Sequence, residues 1–231
     1  MDLRARLAAI EQEIDSGRYS PGPWAHLVRE IRSRRRSERA ALAIDVSRIS
    51  RKLHMRGGRR TMAIEAALLI ELCLMMLGAL ILGIGLAADS NAAAIIGMIL
   101  WVMAFQPTLK MSCGRILGIG YEYAYLAGVE PRFKMAYGAY LAAPRWARIL
   151  THLAGTIGSP LGALCGWLLT TRRLDIAADV SGVIFWILVA INVVAFATAI
   201  AGIRKLGSLR ADWSSGGSAG LEIREAIDGF F

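Results

Sequence analysis

Apolar positions fall along the chain in two regimes. Before residue 62 they recur at helical spacing: Leu3, Leu7, Ile10 and Ile14 are four, three and four residues apart, one apolar stripe on an amphipathic helix. Ser20-Pro21-Gly22-Pro23 interrupts the stripe, and Pro23 suits the first turn of a new helix carrying Trp24, Leu27, Val28 and Ile31. A third stripe, Leu42, Val46, Ile49 and Leu53, closes at Gly57-Gly58. Such stripes need a partner, which is either one another and the bilayer surface, or a helix of a second chain.

The second regime begins at Met62, where polar residues almost vanish. Runs over about 62–88, 92–109, 149–170 and 180–203 are each of the length that crosses a ~30 Å hydrocarbon core as a helix. Asp89, Ser90 and Asn91 mark the turn between the first two. The pattern predicts an all-α integral membrane protein built on a four-helix transmembrane bundle, with amphipathic cytoplasmic helices over 1–61 and a cytoplasmic tail over 204–231. The loop over 110–148 is too polar for a span but rich in aromatic and basic residues, which favour the headgroup level, so interfacial helices broken at Pro131 and Pro144 are expected between the second and third spans. In the tail, Ser214 to Gly220 has the composition of a flexible linker, followed by a short amphipathic segment containing Leu221, Ile223, Ile227, Phe230 and Phe231.

Composition supports this division. Of 231 residues 55% are hydrophobic and 19% charged, which excludes a disordered chain, a collagen and a disulfide-knit secreted scaffold. No apolar segment follows Met1 closely enough to read as a signal peptide. Of the 27 Lys+Arg, 15 precede residue 62, 6 lie in 110–148, 4 follow residue 203, and only the Arg172-Arg173 pair falls in the opposite loops. The positive-inside rule therefore places both termini and the central loop in the cytoplasm of a cell with an inner or plasma membrane.

Candidate chemistry is sparse. Cys73, Cys113 and Cys165 and the histidines His26, His54 and His152 lack metal-ligand spacing, so neither a metal site nor a cofactor is expected. Metalloprotease, nucleophile-elbow and nucleotide-binding motifs are absent. What stands out is polarity inside the spans. Glu71, nine residues past Met62, lies roughly 13 Å inside the boundary at 1.5 Å per residue. Gln106, His152, Thr156 and Asn192 fall at comparable depth, so the five are expected to form an intramembrane polar cluster, either structural or titrating. His152, Thr156 and Ser159 share a helix face, and Gly155, Ser159, Gly162 and Gly166 offer a small-residue seam.

Headgroup-binding candidates come from the basic run (Arg32, Arg35, Arg36) and the central loop (Arg115, Tyr121, Glu122, Tyr123, Arg132, Lys134). The run's closeness to the first span favours anionic lipid over nucleic acid. The function expected first is a non-catalytic membrane subunit or scaffold that binds lipid headgroups and partner proteins on the cytoplasmic side, as a homo-oligomer or within a larger complex. The alternatives are a small oligomeric transporter or channel using Glu71, and an enzyme acting on lipid with Glu71, Glu122 or His152 as acid or base.

Overall fold

The computed structural model describes residues 2–58, 60–127, 130–203, 205–206, 209–210 and 215–228. They divide into two compact units, one of Met1–Ala63 with Leu117–Pro144 and one of Ile64–Ile116 with Arg145–Phe231.

The first unit begins with four helices, α1 (Leu3–Asp15), α2 (Pro21–Ser33), α3 (Arg36–Ala41) and α4 (Ala43–Met55). All three sequence stripes converge on one core: Leu7, Ile10 and Ile14 meet Leu27, Val28 and Ile31, and both meet Leu42, Val46 and Ile49. Ile119, Tyr140, Leu141 and Ala143 complete it, so the central loop folds together with the N-terminal helices. The apolar stripes of α1, α2 and α4 are thus occupied within this chain.

Between the second and third long helices the structure corrects the expectation of interfacial helices. Only the short α7 (Tyr137–Ala142) is helical in this unit's part of the loop. β1 (Thr61–Met62), β2 (Tyr121–Ala127) and β3 (Glu130–Met135) form an antiparallel sheet in the order β1-β2-β3. The reason is legible afterwards: Tyr121, Tyr123 and Tyr125 alternate with Glu122, Ala124 and Leu126, a period of two carried by residues with high strand propensity. Pro131 is tolerated because β3 is an edge strand. α7 lies close on α4; a Cβ on Gly138 would come within 1.7 Å of the Ala43 carbonyl oxygen, and the Gly138 N–H donates to Ser47 Oγ at 2.9 Å.

The second unit holds α5 (Ile64–Ala87), α6 (Asn91–Ile116), α8 (Arg145–Thr170) and α9 (Asp175–Ile200), four helices long and apolar enough to cross a membrane. Two of them run on past the expected spans at their polar ends: α6 continues through Pro107 to Ile116, and α8 starts directly after Pro144. Asp89, with φ 49°, turns the chain between α5 and α6. Neighbours pack through glycine. A Cβ on Gly97 would lie 2.5 Å from the Leu82 amide, and one on Gly158 2.5 Å from Gln106 Cα, so the backbones meet where larger residues would separate them. Asn91 Oδ1 accepts from the Ala177 N–H at 2.9 Å and ties the start of α6 to the first turn of α9.

A second correction concerns the tail. After a small hairpin, β4 (Lys205–Leu206) and β5 (Leu209–Arg210), the expected flexible linker is helix α10 (Ser215–Asp228); Ser214, Phe230 and Phe231 lie outside the described residues. Its glycines serve contact. A Cβ on Gly216 would lie 2.7 Å from the Asn192 carbonyl oxygen, and one on Gly220 2.6 Å from that of Phe196. Composition reads such residues as a linker because flexibility and close packing call for the same small side chains.

Candidate functional site

Several polar groups of the second unit gather where α10 joins the long helices. α10 runs alongside α9 in the same direction, with Gly216 on Asn192, Gly220 on Phe196, and Arg224 Nη1 donating to the Ile200 carbonyl at 3.0 Å. Against α8 it runs in the opposite direction, with Ser215 beside Gly155 and Glu222 beside Arg148. Ser215 therefore sits ten residues into α8, roughly 15 Å from Arg145 at 1.5 Å per residue.

Gln106 occupies the centre of this junction. Its Nε2 donates to Ser215 Oγ at 3.3 Å, and its Oε1 accepts from Ser159 Oγ at 3.2 Å. Ser159 also reaches the Val102 carbonyl at 3.0 Å. A Cβ on Gly155 would lie 3.0 Å from Lys110 Cδ, so the Lys110 stem crosses the same place. Toward the start of α8 lies the ion pair between Arg148 Nη1 and Glu222 Oε2 at 3.2 Å, with side chains 2% and 4% exposed. Two charges so enclosed hold each other: either alone would be left buried without its counter-charge. His152, buried one turn from Arg148, shares its helix face.

The five residues expected in one polar cluster are distributed over several seams. Gln106 joins α6, α8 and α10 as described. The Thr156 hydroxyl donates to the His152 carbonyl of its own helix at 2.9 Å, and Asn192 Nδ2 donates to Leu188 O at 2.9 Å while Gly216 packs on its carbonyl. Glu71, 2% exposed, belongs to the buried stripe of α5, Ile64, Ala67, Glu71, Gly78, Leu82 and Gly85. That stripe faces α6: Gly78 meets Gly97 and Trp101, Gly85 meets Ala94, and Trp101 Nε1 donates to the Met75 carbonyl at 3.0 Å. One turn before Met75 in an antiparallel pair places Glu71 opposite residues 104–108. There Ala104 is fully buried, and Thr108 Oγ1 is buried with no hydrogen-bond partner among the described residues.

In the first unit a bulge in β2 assembles a second group. The register passes from Tyr121 opposite Met135 to Tyr123 opposite Lys134, so Glu122 is the extra residue. Burial pushes the Glu122 carboxyl above its ordinary value, and the charges of Lys134 and Arg51 pull it back. Lys134 Nζ donates to Ser50 Oγ at 2.9 Å, Arg51 lies over the Tyr123 ring at 5.7 Å, and Tyr123 Oη pairs with His54 Nδ1 at 2.8 Å. The His54 ring stands edge-on to Tyr125 at 4.5 Å. Glu122, Tyr123 and Lys134 were legible as candidates; Ser50, Arg51 and His54 on α4 were not, although their spacing places them on one helical face.

The other headgroup candidates are spread apart. Tyr121 packs edge-on against Phe133 at 6.3 Å, and Arg132 is exposed opposite Tyr125. Arg35 is exposed, Arg36 Nε donates to the Ala142 carbonyl at 3.3 Å, and the Arg32 carbonyl accepts from Arg39 Nη1 at 3.3 Å. Arg115, exposed in the last turn of α6, belongs to the second unit. No protein-family model, no curated protein and no solved structure matches the chain.

Proposed function

We propose that the chain is a multi-pass membrane subunit or scaffold of an inner or plasma membrane, with both termini cytoplasmic, whose first unit binds anionic lipid headgroups at the cytoplasmic face. The observation that carries this reading is the arrangement of charge in that unit. Four of its acidic side chains are engaged internally, Glu11 with Arg48 and Lys52, Asp15 with Lys52, Glu30 with Arg6 and Arg34, and Asp45 with Arg48, while Glu38 is exposed on α3. Arg29, Arg34, Arg35 and Arg36 are exposed around the corner between α2 and α3. The unit is also tethered: Ala63, Leu117 and Pro144 are joined directly to the long helices at Ile64, Ile116 and Arg145. With those helices in a bilayer, headgroups are the anions always at hand, each basic group near an anionic surface contributing about 1 kcal/mol.

The test is lipid retention by the purified full chain, extracted gently and read by native mass spectrometry. Anionic lipid is expected to be enriched over zwitterionic lipid. Replacing Arg29, Arg35 and Arg36 together by Gln should weaken that preference by at most about 3 kcal/mol, roughly a hundredfold. Equal retention of both lipid classes by the native chain would contradict the reading.

A further inference from the structure

α10 lies at a depth that a tail in water would not reach. Its contacts with α9 keep one register: Gly216 meets Asn192, Gly220 meets Phe196 and Arg224 meets Ile200, each pair 24 residues apart. Asn192 is eight residues from the end of α9. Ser215 stands beside Gly155, ten residues into α8, and accepts from Gln106, ten residues before the end of α6. Three helices thus place the start of α10 roughly 12–15 Å in from one end of the bundle. Each of the three has 26 residues, roughly 39 Å, so a ~30 Å hydrocarbon core centred on them leaves that start roughly 7–11 Å below the boundary.

The sequence of α10 carries the same gradient. Ser215 to Leu221 contains no charge, whereas Glu222, Arg224, Glu225 and Asp228 all fall in the second half, which runs from the first turn of α8 past the last residue of α9. A helix start leaves its first N–H groups open, and inside a bilayer such backbone is tolerated only where protein encloses it. Here it is enclosed: Ser215, Gly216 and Gly217 are buried, and a Cβ on Gly216 would come 3.1 Å from Asn192 Oδ1. We infer that α10 is a re-entrant half-helix, a strap whose uncharged half stands in the hydrocarbon layer against α6, α8 and α9 while its charged half reaches the headgroup level. Gln106, Ser159 and Asn192 then share a purpose within the spans: they furnish the polar surroundings that a helix start requires at that depth. The inference rests on the long helices lying in a bilayer, not on lipid binding by the first unit.

Depth measurement on the full chain in nanodiscs tests this. By the same register Ser218, half-buried, is level with Val194, an exposed residue of α9, and Glu225 with Ala201 just past its end. With Cys73, Cys113 and Cys165 replaced by Ala, a spin label is attached in turn through Ser218→Cys, Val194→Cys and Glu225→Cys. Its collisions with oxygen, which concentrates in hydrocarbon, are compared with those with a water-soluble nickel chelate. The labels at positions 218 and 194 are expected at one depth within about a helical turn, ~5 Å, and the label at 225 in water. A label at 218 as open to the chelate as the one at 225, or a label at 194 in water, would overturn the inference. The unsubstituted chain gives a second reading, through a lipid with a photoreactive group midway along its acyl chain. Adducts are expected within residues 215–221 as well as on α9; adducts on α9 with none on 215–221 would contradict the inference. Neither readout involves lipid retention by the first unit, so the two readings fail separately.

Discussion

Arg148 and Glu222 are held in an ion pair from which solvent is excluded, and their worth is best judged by what each leaves behind. Arg148→Met or Glu222→Leu alone should lower stability by about 3–5 kcal/mol, because one buried charge loses its partner. The double variant removes both charges and should recover most of that loss. Thermal unfolding in detergent, followed by tryptophan fluorescence, reads all three proteins. Such a pair was beyond the sequence: the partners are 74 residues apart, and nothing in either segment's periodicity points to the other. Gly138 presents a steric limit instead. With the Ala43 carbonyl oxygen 1.7 Å from where a Cβ would stand, Gly138→Ala must separate α7 from α4. The expected cost is about 1–3 kcal/mol, seen as earlier proteolytic cleavage within the first unit.

Among the elements, the amphipathic helices and the apolar spans were legible because burial of one face or of a whole helix leaves a periodic or continuous apolar signal. β2 carried a signal too, in the alternation of its tyrosines, but aromatic residues beside basic ones also describe a headgroup interface. α10 was hidden for a different reason: its Gly and Ser residues have poor intrinsic helix propensity, and the helix is supported by contact with α8 and α9. Gly220→Leu should therefore displace α10, since even a Cβ there would lie 2.6 Å from the Phe196 carbonyl oxygen. Faster hydrogen exchange across residues 215–228, with α5 unchanged, is the expected result. The helices of the first unit are linked by ion pairs that give its stability an acid limit. Hydrogen bonds from Arg48 and Lys52 hold the Glu11 carboxyl below its ordinary value, and Arg6 with Arg34 does the same for Glu30. An acid lowered on folding contributes stability above its unfolded pKa and loses it as pH falls through the folded value. Stability should thus decline below the ordinary carboxylate range, and Glu11→Gln with Glu30→Gln should flatten that decline in a pH series of melting temperatures.

At the scale of the whole molecule, two kinds of interior coexist in one chain. The first unit buries apolar stripes around a water-soluble type of core, whereas the second leaves long apolar surfaces outward and keeps its polar groups inside. The outward face of α9, with Val183, Trp186, Ile187, Val193 and Val194 exposed, is what hydrocarbon would cover. The sequence separated residues 1–61 from the central loop; the fold joins them, because Ile119, Tyr140 and Leu141 supply a side of the core that the N-terminal helices lack. The proposed binding of an anionic bilayer by this unit runs through the corner between α2 and α3. Hydrogen exchange of the full chain in nanodiscs, compared between purely zwitterionic lipid and lipid with an added anionic fraction, tests it most directly. Slower exchange over residues 29–39 in the anionic discs, diminishing with salt, is the expected result; identical exchange in both lipids would contradict it.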